Sequence, residues 1–175
     1  MDELREMLKL RHDKVDEFRS RGINPYINRF KVSATIGDLV RDFSEASKEE
    51  LEEKNLEYTI AGRIIARRKH GKTTFCQIKD GFGETQVYVN KKELGDEAYD
   101  LFSKFDIGDF IGAEGKVSKT RTGELTLFAK QITLLSKSLL PLPEKWHGLK
   151  DVEIRYRQRY VDLIVNPDAK KVFIC

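Results

Sequence analysis

Residues 73–89, TTFCQIKDGFGETQVYV, place side chains of two different kinds at alternating positions. Alternate residues of a β-strand point to opposite faces of a sheet. One face of these segments is small and apolar, whereas the other is polar yet includes Phe75 and Tyr88. An aromatic side chain on a polar face offers an unpaired nucleobase a stacking surface, worth roughly 1–3 kcal/mol per base. The pattern therefore indicates an aromatic platform for a base.

The sequence also predicts how the two strands pair. The segment DGFG (80–83) has the length and composition of a hairpin loop. Such a loop opposes Phe75 to Tyr88, and two residues further along it opposes Gln77 to Gln86. Diagonal neighbours in a sheet lie ~7–8 Å apart, so we expect Gln86 beside the Phe75 ring. A carboxamide both donates and accepts hydrogen bonds, which is what reading a base such as uracil requires.

Charged residues extend this hypothesis to the RNA backbone. The run RIIARRKHGK (63–72) contains no acidic residue. Its cations could neutralise phosphates along a groove, although a solvated hairpin end is the commoner role of such a run. The direction of Arg68 stays open, because a long first strand is expected to bend. The basic residues are Arg63, Arg67, Arg68, Lys69 and Lys72.

Two alternatives to these assignments stay open. The Phe75 ring could instead be covered by the N-terminal helix or by a loop, as most phenylalanines are covered. Glu124 shares a strand face with Thr126 and Phe128. On a surface for a polyanion, a carboxylate is repelled unless it accepts a hydrogen bond from a base N–H. From the residues alone, a glutamate that flanks a turn and balances nearby cations is the simpler interpretation of Glu124.

No residue set for catalysis, a metal or a nucleotide cofactor can be assembled. The three histidines lack partners at metal-ligand spacing, and GFG (81–83) is not followed by a phosphate-binding helix. We therefore expect no cofactor and no metal in this chain. Cys76 and Cys175 belong to no pair pattern, which indicates a reducing compartment. The absence of a signal-peptide or membrane-span pattern favours a cytoplasmic location.

The composition fits one medium domain, or a small domain with appendages. The chain has 175 residues, of which 39% are hydrophobic and 35% are charged. The formal net charge of +3 is too mild to prove a polyanionic partner, so the distribution of charge carries the argument. Hydrophobic periodicity predicts helices at 2–19, 36–43 and 47–54 and helical spacing at 92–105. Period-two patterning predicts strands at 58–68, 73–79, 84–89, 109–119 and 124–135, with a bend or bulge at Gly62.

Three strands, a helix and two further strands follow the chain order of an OB-fold, a five-stranded Greek-key barrel. Such barrels bind oligonucleotides on the face of their second and third strands. We therefore expect a mainly β fold; an SH3-type barrel is the alternative, and the helix after the third strand argues against it. The predicted organisation is an N-terminal helical extension, the barrel, a linker and a further domain beginning with a helix at 151–164 and another after Asn166. The boundaries of the four parts are 1–56, 57–136, 137–150 and 151–175.

Three stretches of the chain closely resemble the class II lysyl-tRNA synthetases. The block RYRQRYVDLI and the preceding WHGLKD are the most specific part of this resemblance. The resemblance covers nearly the whole chain and about the first third of the family's usual length. Aspartyl- and asparaginyl-tRNA synthetases share the barrel but are less similar in the linker. The three stretches are AGRIIARRKHGKTTFCQIKDGFGETQVYV, DIGDFIGAEGKVSKTRTGELTL and LLPLPEKWHGLKDVEIRYRQRYVDLIVNP.

The resemblance implies roles for individual residues. In that family the barrel binds the anticodon of the lysine tRNA, whose second and third positions are uracil. By resemblance, Phe75 matches the aromatic residue that stacks on the middle anticodon base, and Gln86 matches the amide that reads it. Glu124 matches a carboxylate that contacts the neighbouring uracil, and Arg68 matches an arginine at the anticodon. The resemblance thus changes the interpretation of Glu124 from a turn residue to a base reader.

The resemblance also implies an enzyme larger than this chain. The full-length family members are homodimers that ligate lysine to its tRNA with ATP and Mg²⁺. Their catalytic domain would start at 151–175 and continue beyond Cys175, so we expect the chain alone to be inactive. The expected partner is the anticodon loop of the lysine tRNA. Two other functions stay open, namely a sequence-tolerant single-strand binder and a protein interaction module.

Overall fold

A computed structural model describes residues 2–141, 152–157, 159–166, 169 and 171–172. The chain divides into two compact units, 1–139 and 140–175. The described helices are α1 (Asp2–Ser20), α2 (Ile36–Phe43), α3 (Lys48–Lys54), α4 (Lys91–Leu94), α5 (Asp96–Ser103), α6 (Val152–Arg157) and α7 (Arg159–Val165). The described strands are β1 (Glu57–His70), β2 (Thr73–Lys79), β3 (Glu84–Asn90), β4 (Phe110–Lys119) and β5 (Leu125–Ser136).

The five strands close into a barrel in the order β1-β2-β3-β5-β4. β3 and β5 pair in parallel, and every other pair is antiparallel. This topology confirms the predicted mainly β fold with a five-stranded barrel. Closure removes the unpaired edges that an open sheet of this size would expose.

The inner faces of the strands form the core, as the alternation of β2 and β3 predicts. Burial raises the pKa of the Cys76 thiol to about 12, so this side chain is a neutral core residue. The buried residues on the inner faces of these two strands are Thr74, Cys76, Ile78, Thr85, Val87 and Val89.

The sequence predicts a bend or bulge at Gly62, and the bulge is not found there, because the irregular point of β1 lies after this glycine. The pairing of β1 with β2 shifts between Ile64 and Ala66. Gly62 is instead a close-packing position, because a Cβ atom there would lie 3.1 Å from the carbonyl oxygen of Lys79. The bulge, which leaves Ile65 as the extra residue, reverses which residues of β1 face outward.

The helical segment between β3 and β4 is broken, whereas the sequence suggests a single stripe. Gly95 separates α4 from α5 and has φ +88°, a conformation that favours glycine. Tyr99 and Phe102 of α5 are buried, and Thr74 and Tyr99 share a hydrogen bond of 3.1 Å between their hydroxyls.

α1 is fixed to the barrel by apolar packing and by ion pairs. Phe18 is fully buried and meets the Phe105 ring edge-on at 6.1 Å. Lys14 donates to Asp106 at 2.6 Å, and Asp106 also accepts from Lys137 at 2.6 Å. Burial raises the pKa of Asp106, but these two lysines lower that pKa by more, so it stays below its ordinary value.

The second unit is described only in part. Its described helical residues, α6 and α7, fall almost entirely within the stretch 151–164 that is predicted to be helical. Asp162 is buried and accepts from Arg155 and Arg159 at 2.9 Å each. Most of the predicted linker and of the helix after Asn166 lies outside the described residues. None of the described helices has the length and apolar character needed to cross a bilayer.

Candidate nucleic-acid interface

Three aromatic side chains form a row across the outer face of the barrel, called here the aromatic row. Phe75 of β2 lies directly opposite Tyr88 of β3, and Tyr88 pairs with Phe128 of β5. The ring centroids are 5.0 Å apart for the first pair and 5.2 Å for the second, with the rings tilted by 53° and 54°. Every ring is partly buried, so each is supported by its neighbours while part of it remains accessible.

The pairing of β2 with β3 explains why these rings face outward. The register opposes Phe75 to Tyr88 and Gln77 to Gln86, as predicted from the loop length. The intervening Cys76 is fully buried in the barrel, which directs Phe75 to the other face. All three rings line a groove of about 590 Å³ on the outer surface. The prediction that Phe75 stands on the outer face is confirmed.

Cations bound the aromatic row at both ends. Arg68 of β1 is exposed and lies opposite Phe75, because the bulge turns this residue to the outer face. Lys116 of β4 lies opposite Phe128 at the other end. The Arg68 side chain makes no hydrogen bond or ion pair within the described part of the chain. The row is therefore an apolar strip between two positive charges, a combination that suits bases and phosphates of a single strand.

A second row lies beside the aromatic row, two residues away from it on each strand. It is called here the polar row and consists of Gln77, Gln86, Thr126 and Ser118. Gln77 opposes Gln86, Gln86 pairs with Thr126, and Thr126 opposes Ser118. A base stacked on the aromatic row would direct its edge toward these amides and hydroxyls.

The carboxamide of Gln86 is held in one orientation. Its Nε2 donates to the Glu124 carboxylate at 2.8 Å, and its Oε1 accepts from the Thr126 hydroxyl at 3.0 Å. A carboxylate only accepts hydrogen bonds, so the amide nitrogen must be the atom that faces Glu124. One N–H and one lone pair of Gln86 remain available for a ligand. Their positions are fixed, with the donor on the side of Glu124 and the acceptor on the side of Thr126.

Glu124 reaches this position from the turn between β4 and β5. Thr120 and Glu124 close the turn through a backbone bond of 3.0 Å and a hydroxyl bond of 3.1 Å. Glu124 is exposed, and its contact with Gln86 joins it to the polar row. The structure thus brings together Phe75, Gln86, Glu124, Arg68 and Tyr88.

Three other sequence candidates lie away from the aromatic row. Arg63 donates to the Gly108 carbonyl at 3.0 Å and lies over the Phe110 ring, and burial lowers its pKa while Asp109 opposes that change. Arg67 faces the opposite side from Arg68 and donates to the carbonyls of Ser103, the last residue of α5, and of Phe105, at 3.2 and 2.7 Å. Lys72 is exposed in the turn between β1 and β2. Phosphate binding by these residues stays a prediction, and their contacts give it no support.

Phe128 and Thr126 belong to the interface but are not among the residues predicted to bind RNA. Their shared strand face is evident in the sequence, yet their partners are not. Only the parallel pairing of β3 with β5 brings Phe128 to Tyr88 and Thr126 to Gln86. That pairing joins strands separated by two helices and β4, and no local pattern specifies its register.

The comparison with protein families agrees with this architecture. A family model described as an OB-fold nucleic acid binding domain matches residues 58–135. The matched range includes nearly all of the barrel, so the OB-fold predicted from the order of elements is confirmed. The aromatic row, the polar row and Arg68 all lie within this OB-fold domain.

Relatives match the chain well beyond the barrel. A lysine–tRNA ligase of Pelotomaculum thermopropionicum is 51% identical over 172 residues, which is 98% of this chain and 33% of that protein. A lysine–tRNA ligase of Bacillus subtilis is 49% identical over 173 residues, which is 99% of this chain and 35% of that protein. The resemblance to lysyl-tRNA synthetases is thereby confirmed. The chain spans about a third of the length of these relatives.

Proposed function

We propose that the OB-fold domain binds the anticodon loop of a lysine tRNA. The observation that carries this proposal is the outward Phe75 ring with the oriented Gln86 amide at its diagonal. A base from the loop stacks on Phe75 while its edge meets Gln86. The similarity to lysine–tRNA ligases supports this choice of RNA over an arbitrary single strand.

The remaining hydrogen-bonding groups of Gln86 suit uracil. Uracil presents an N–H beside a carbonyl oxygen, and the free lone pair and free N–H of the amide match this pair. The hydrogen bond to the Glu124 carboxylate fixes which end of the amide donates. Rotating the amide would aim its oxygen at the Glu124 carboxylate, which cannot donate, so the fixed order favours one arrangement of the base.

Charge completes the proposed contacts. Arg68 and Lys116, at the two ends of the aromatic row, neutralise phosphates of the strand. Glu124 repels phosphate, so it serves as an acceptor for a base N–H next to the one that Gln86 reads. The role of Glu124 comes from the resemblance and from its contact with Gln86.

For the whole protein we propose lysine–tRNA ligation, as in the relatives. By the same resemblance that reaction uses ATP and Mg²⁺ in a homodimer. Within the described residues no three His, Cys, Asp or Glu side chains cluster in a way that could hold a metal ion. We assign no step of ligation to these residues, and we expect the 175-residue chain alone not to activate lysine.

Binding to two labelled anticodon stem-loops tests the proposal. One RNA carries UUU at the anticodon and the other carries GGG, and fluorescence anisotropy gives both dissociation constants. We expect the UUU loop to bind about tenfold more tightly, since each lost base-edge hydrogen bond costs roughly 0.5–1.5 kcal/mol. Equal affinities would support a sequence-tolerant single-strand binder instead, and absence of binding to both RNAs would reject RNA recognition by this surface.

The variant Gln86→Ala locates the source of the preference. The UUU preference should shrink while the affinity for the GGG loop changes little. Gln131→Ala is the matched control, because Gln131 is exposed on β5 and pairs with Glu114 outside both rows. An undiminished preference in a folded Gln86→Ala protein would remove Gln86 from the proposed reading.

A further inference from the structure

The side of the aromatic row that faces away from the polar row is left for the sugar of a bound nucleotide. In the proposed complex the base lies on Phe75 and directs its edge toward Gln86. The glycosidic bond of a pyrimidine leaves the ring on a different side from the edge that pairs. The ribose therefore lies over the next outward pair of β2 and β3, which is Thr73 and Asn90.

Asn90 is held in one orientation, and it fixes the role of the Tyr88 hydroxyl. The backbone N–H of Lys92 donates to Asn90 Oδ1 at 2.8 Å, so the amide oxygen must face the start of α4. The amide nitrogen consequently faces Tyr88 and donates to the hydroxyl oxygen at 3.2 Å. An amide nitrogen does not accept hydrogen bonds, so the tyrosine is the acceptor in this contact.

The hydrogen of the Tyr88 hydroxyl is left over by this contact. A phenolic hydroxyl both donates and accepts. Within the described part of the chain, no group accepts the Tyr88 hydrogen, and the side chain is partly buried and lines the outer groove. The Thr73 hydroxyl, by contrast, already donates to the His70 carbonyl at 2.9 Å. Tyr88 thus offers an oriented donor on the side of the aromatic row where the ribose lies.

Cations lie at the same end of these strands. α4 begins directly after Asn90, and the backbone N–H of Lys91 donates to the Lys72 carbonyl at 2.9 Å. This contact brings the start of α4 to the turn between β1 and β2. The side chains of Lys72 and Lys92 are exposed there. Their charges attract the phosphates on either side of a sugar that lies over Thr73 and Asn90.

We propose that the Tyr88 hydroxyl donates to the 2′-oxygen of the nucleotide whose base stacks on Phe75. This inference rests on the proposed binding of an anticodon loop. The 2′-hydroxyl is the group by which a protein distinguishes RNA from DNA at a given site. Tyr88 therefore has two tasks, since its ring supports Phe75 and its hydroxyl selects a ribonucleotide at this position.

The test compares the UUU stem-loop with loops that carry one modified sugar at the middle anticodon position. For the unchanged protein, a 2′-deoxy nucleotide should weaken binding about twofold to tenfold, the effect of one hydrogen bond. A 2′-fluoro nucleotide should weaken binding similarly, because it keeps a ribose-like pucker but is a poor acceptor. Full affinity of the 2′-fluoro loop would show that sugar pucker is recognised instead, and it would overturn the proposal.

Tyr88→Phe removes the hydroxyl and keeps the ring. We expect this variant to bind the all-ribose loop about twofold to tenfold more weakly and to bind the 2′-deoxy loop equally well. The variant and the modified loop together should show no additional loss, because both remove the same hydrogen bond. Tyr26→Phe is the matched control, because Tyr26 pairs with Ser136 at the end of β5, away from the aromatic row, and should keep the preference for ribose. Circular dichroism checks that each variant is folded.

Asn90→Asp reverses the hydrogen bond without removing the tyrosine hydroxyl. A carboxylate still accepts from the Lys92 N–H, but it cannot donate, so the Tyr88 hydroxyl must donate to it. The hydroxyl hydrogen is then no longer available to the RNA, and the preference for ribose should disappear. The added negative charge weakens both loops alike and cancels in the ratio of their affinities. A retained preference for ribose in this variant would contradict donation by Tyr88.

The outcomes distinguish ribose recognition from the proposed function. If the unchanged protein binds the UUU loop and Tyr88→Phe keeps the full preference for ribose, the role of the hydroxyl is rejected while anticodon binding stands. Additive losses from Tyr88→Phe and the 2′-deoxy nucleotide would also reject that role. If the unchanged protein binds neither the UUU nor the GGG stem-loop, the proposed function itself fails.

Discussion

The Phe75 ring has a different task from the aromatic side chains of the core. Phe18, Phe102 and Phe105 are buried in the core, where folding encloses each ring. Phe75 is supported from the side by Tyr88 and leaves part of its surface to solvent. A ring that folding does not enclose is available for stacking, and this difference underlies the proposed role.

Phe75→Ala should weaken binding of the UUU stem-loop by about 1–3 kcal/mol, because the stacking surface for one base is lost. Fluorescence anisotropy measures the change, and circular dichroism checks the fold. Phe82→Ala removes an exposed ring outside the row and should leave affinity unchanged. Equal affinities of the Phe75→Ala protein and this control would contradict the stacking role.

Thr126 should act on base choice through Gln86. Thr126→Val removes the hydroxyl that donates to Gln86 Oε1 and keeps a side chain of similar shape at a fully buried position. We expect the preference for UUU over GGG to fall about twofold to tenfold, the effect of one hydrogen bond. Thr126→Ser retains the hydroxyl and should retain the preference; if both variants behave alike, the hydroxyl does not orient the amide.

At the scale of elements, local patterns specify the hairpin of β2 and β3 completely. The alternation of side chains and the length of DGFG are sufficient to oppose Phe75 to Tyr88, and the structure agrees. Capping residues likewise mark α2 and α3, since Thr35 and Ser47 each form a capping box. These features depend on residues close together in the chain.

Features that depend on distant strands are not predictable in this way. The bulge at Ile65 decides that Arg68 faces the aromatic row and Arg67 does not. The sequence places a bulge at Gly62 because glycine is its only local signal, whereas the actual position is set by pairing with both β2 and β4. The register of β3 with β5, which adds Phe128 to the row, is also non-local.

The buried ion pair of Lys137 and Asp109 joins the end of β5 to the loop before β4. Removing one partner of this pair should strongly destabilise the fold. Both side chains are fully buried and lie 2.9 Å apart. Lys137→Met leaves the Asp109 carboxylate without its cation, and we expect the free energy of unfolding to fall by about 3–5 kcal/mol. Urea denaturation followed by circular dichroism measures this change.

Lys14→Met is the matched control for that variant. Lys14 is 32% exposed, and its partner Asp106 keeps Lys137 in this variant. The loss of stability should be far smaller, because neither charge of the buried pair is left alone. Adding Asp109→Asn to Lys137→Met should recover part of the lost stability, since it removes the unpaired buried charge. Equal effects of the two lysine variants would contradict this account.

At the scale of the whole molecule, the distribution of charge matters more than its sum. A net charge of +3 over 175 residues produces only weak general attraction to RNA. The cations that bound the aromatic row are placed where a strand must pass if its bases reach the rings. The salt dependence of RNA binding to this face should therefore come from these particular cations.

Salt dependence tests that expectation and separates RNA binding from protein docking. Affinity for the UUU stem-loop should fall steeply between ~50 and ~200 mM salt, because bound phosphates release counterions. Arg68→Gln and Lys116→Gln should each reduce the slope of log affinity against log salt by about 0.7, the value for one phosphate on a single strand. Arg19→Gln, at an exposed site on α1, is the control and should leave the slope unchanged. A flat salt response of the unchanged protein would favour an apolar protein-docking surface, and equal slopes for all three variants would place the phosphates elsewhere on the barrel.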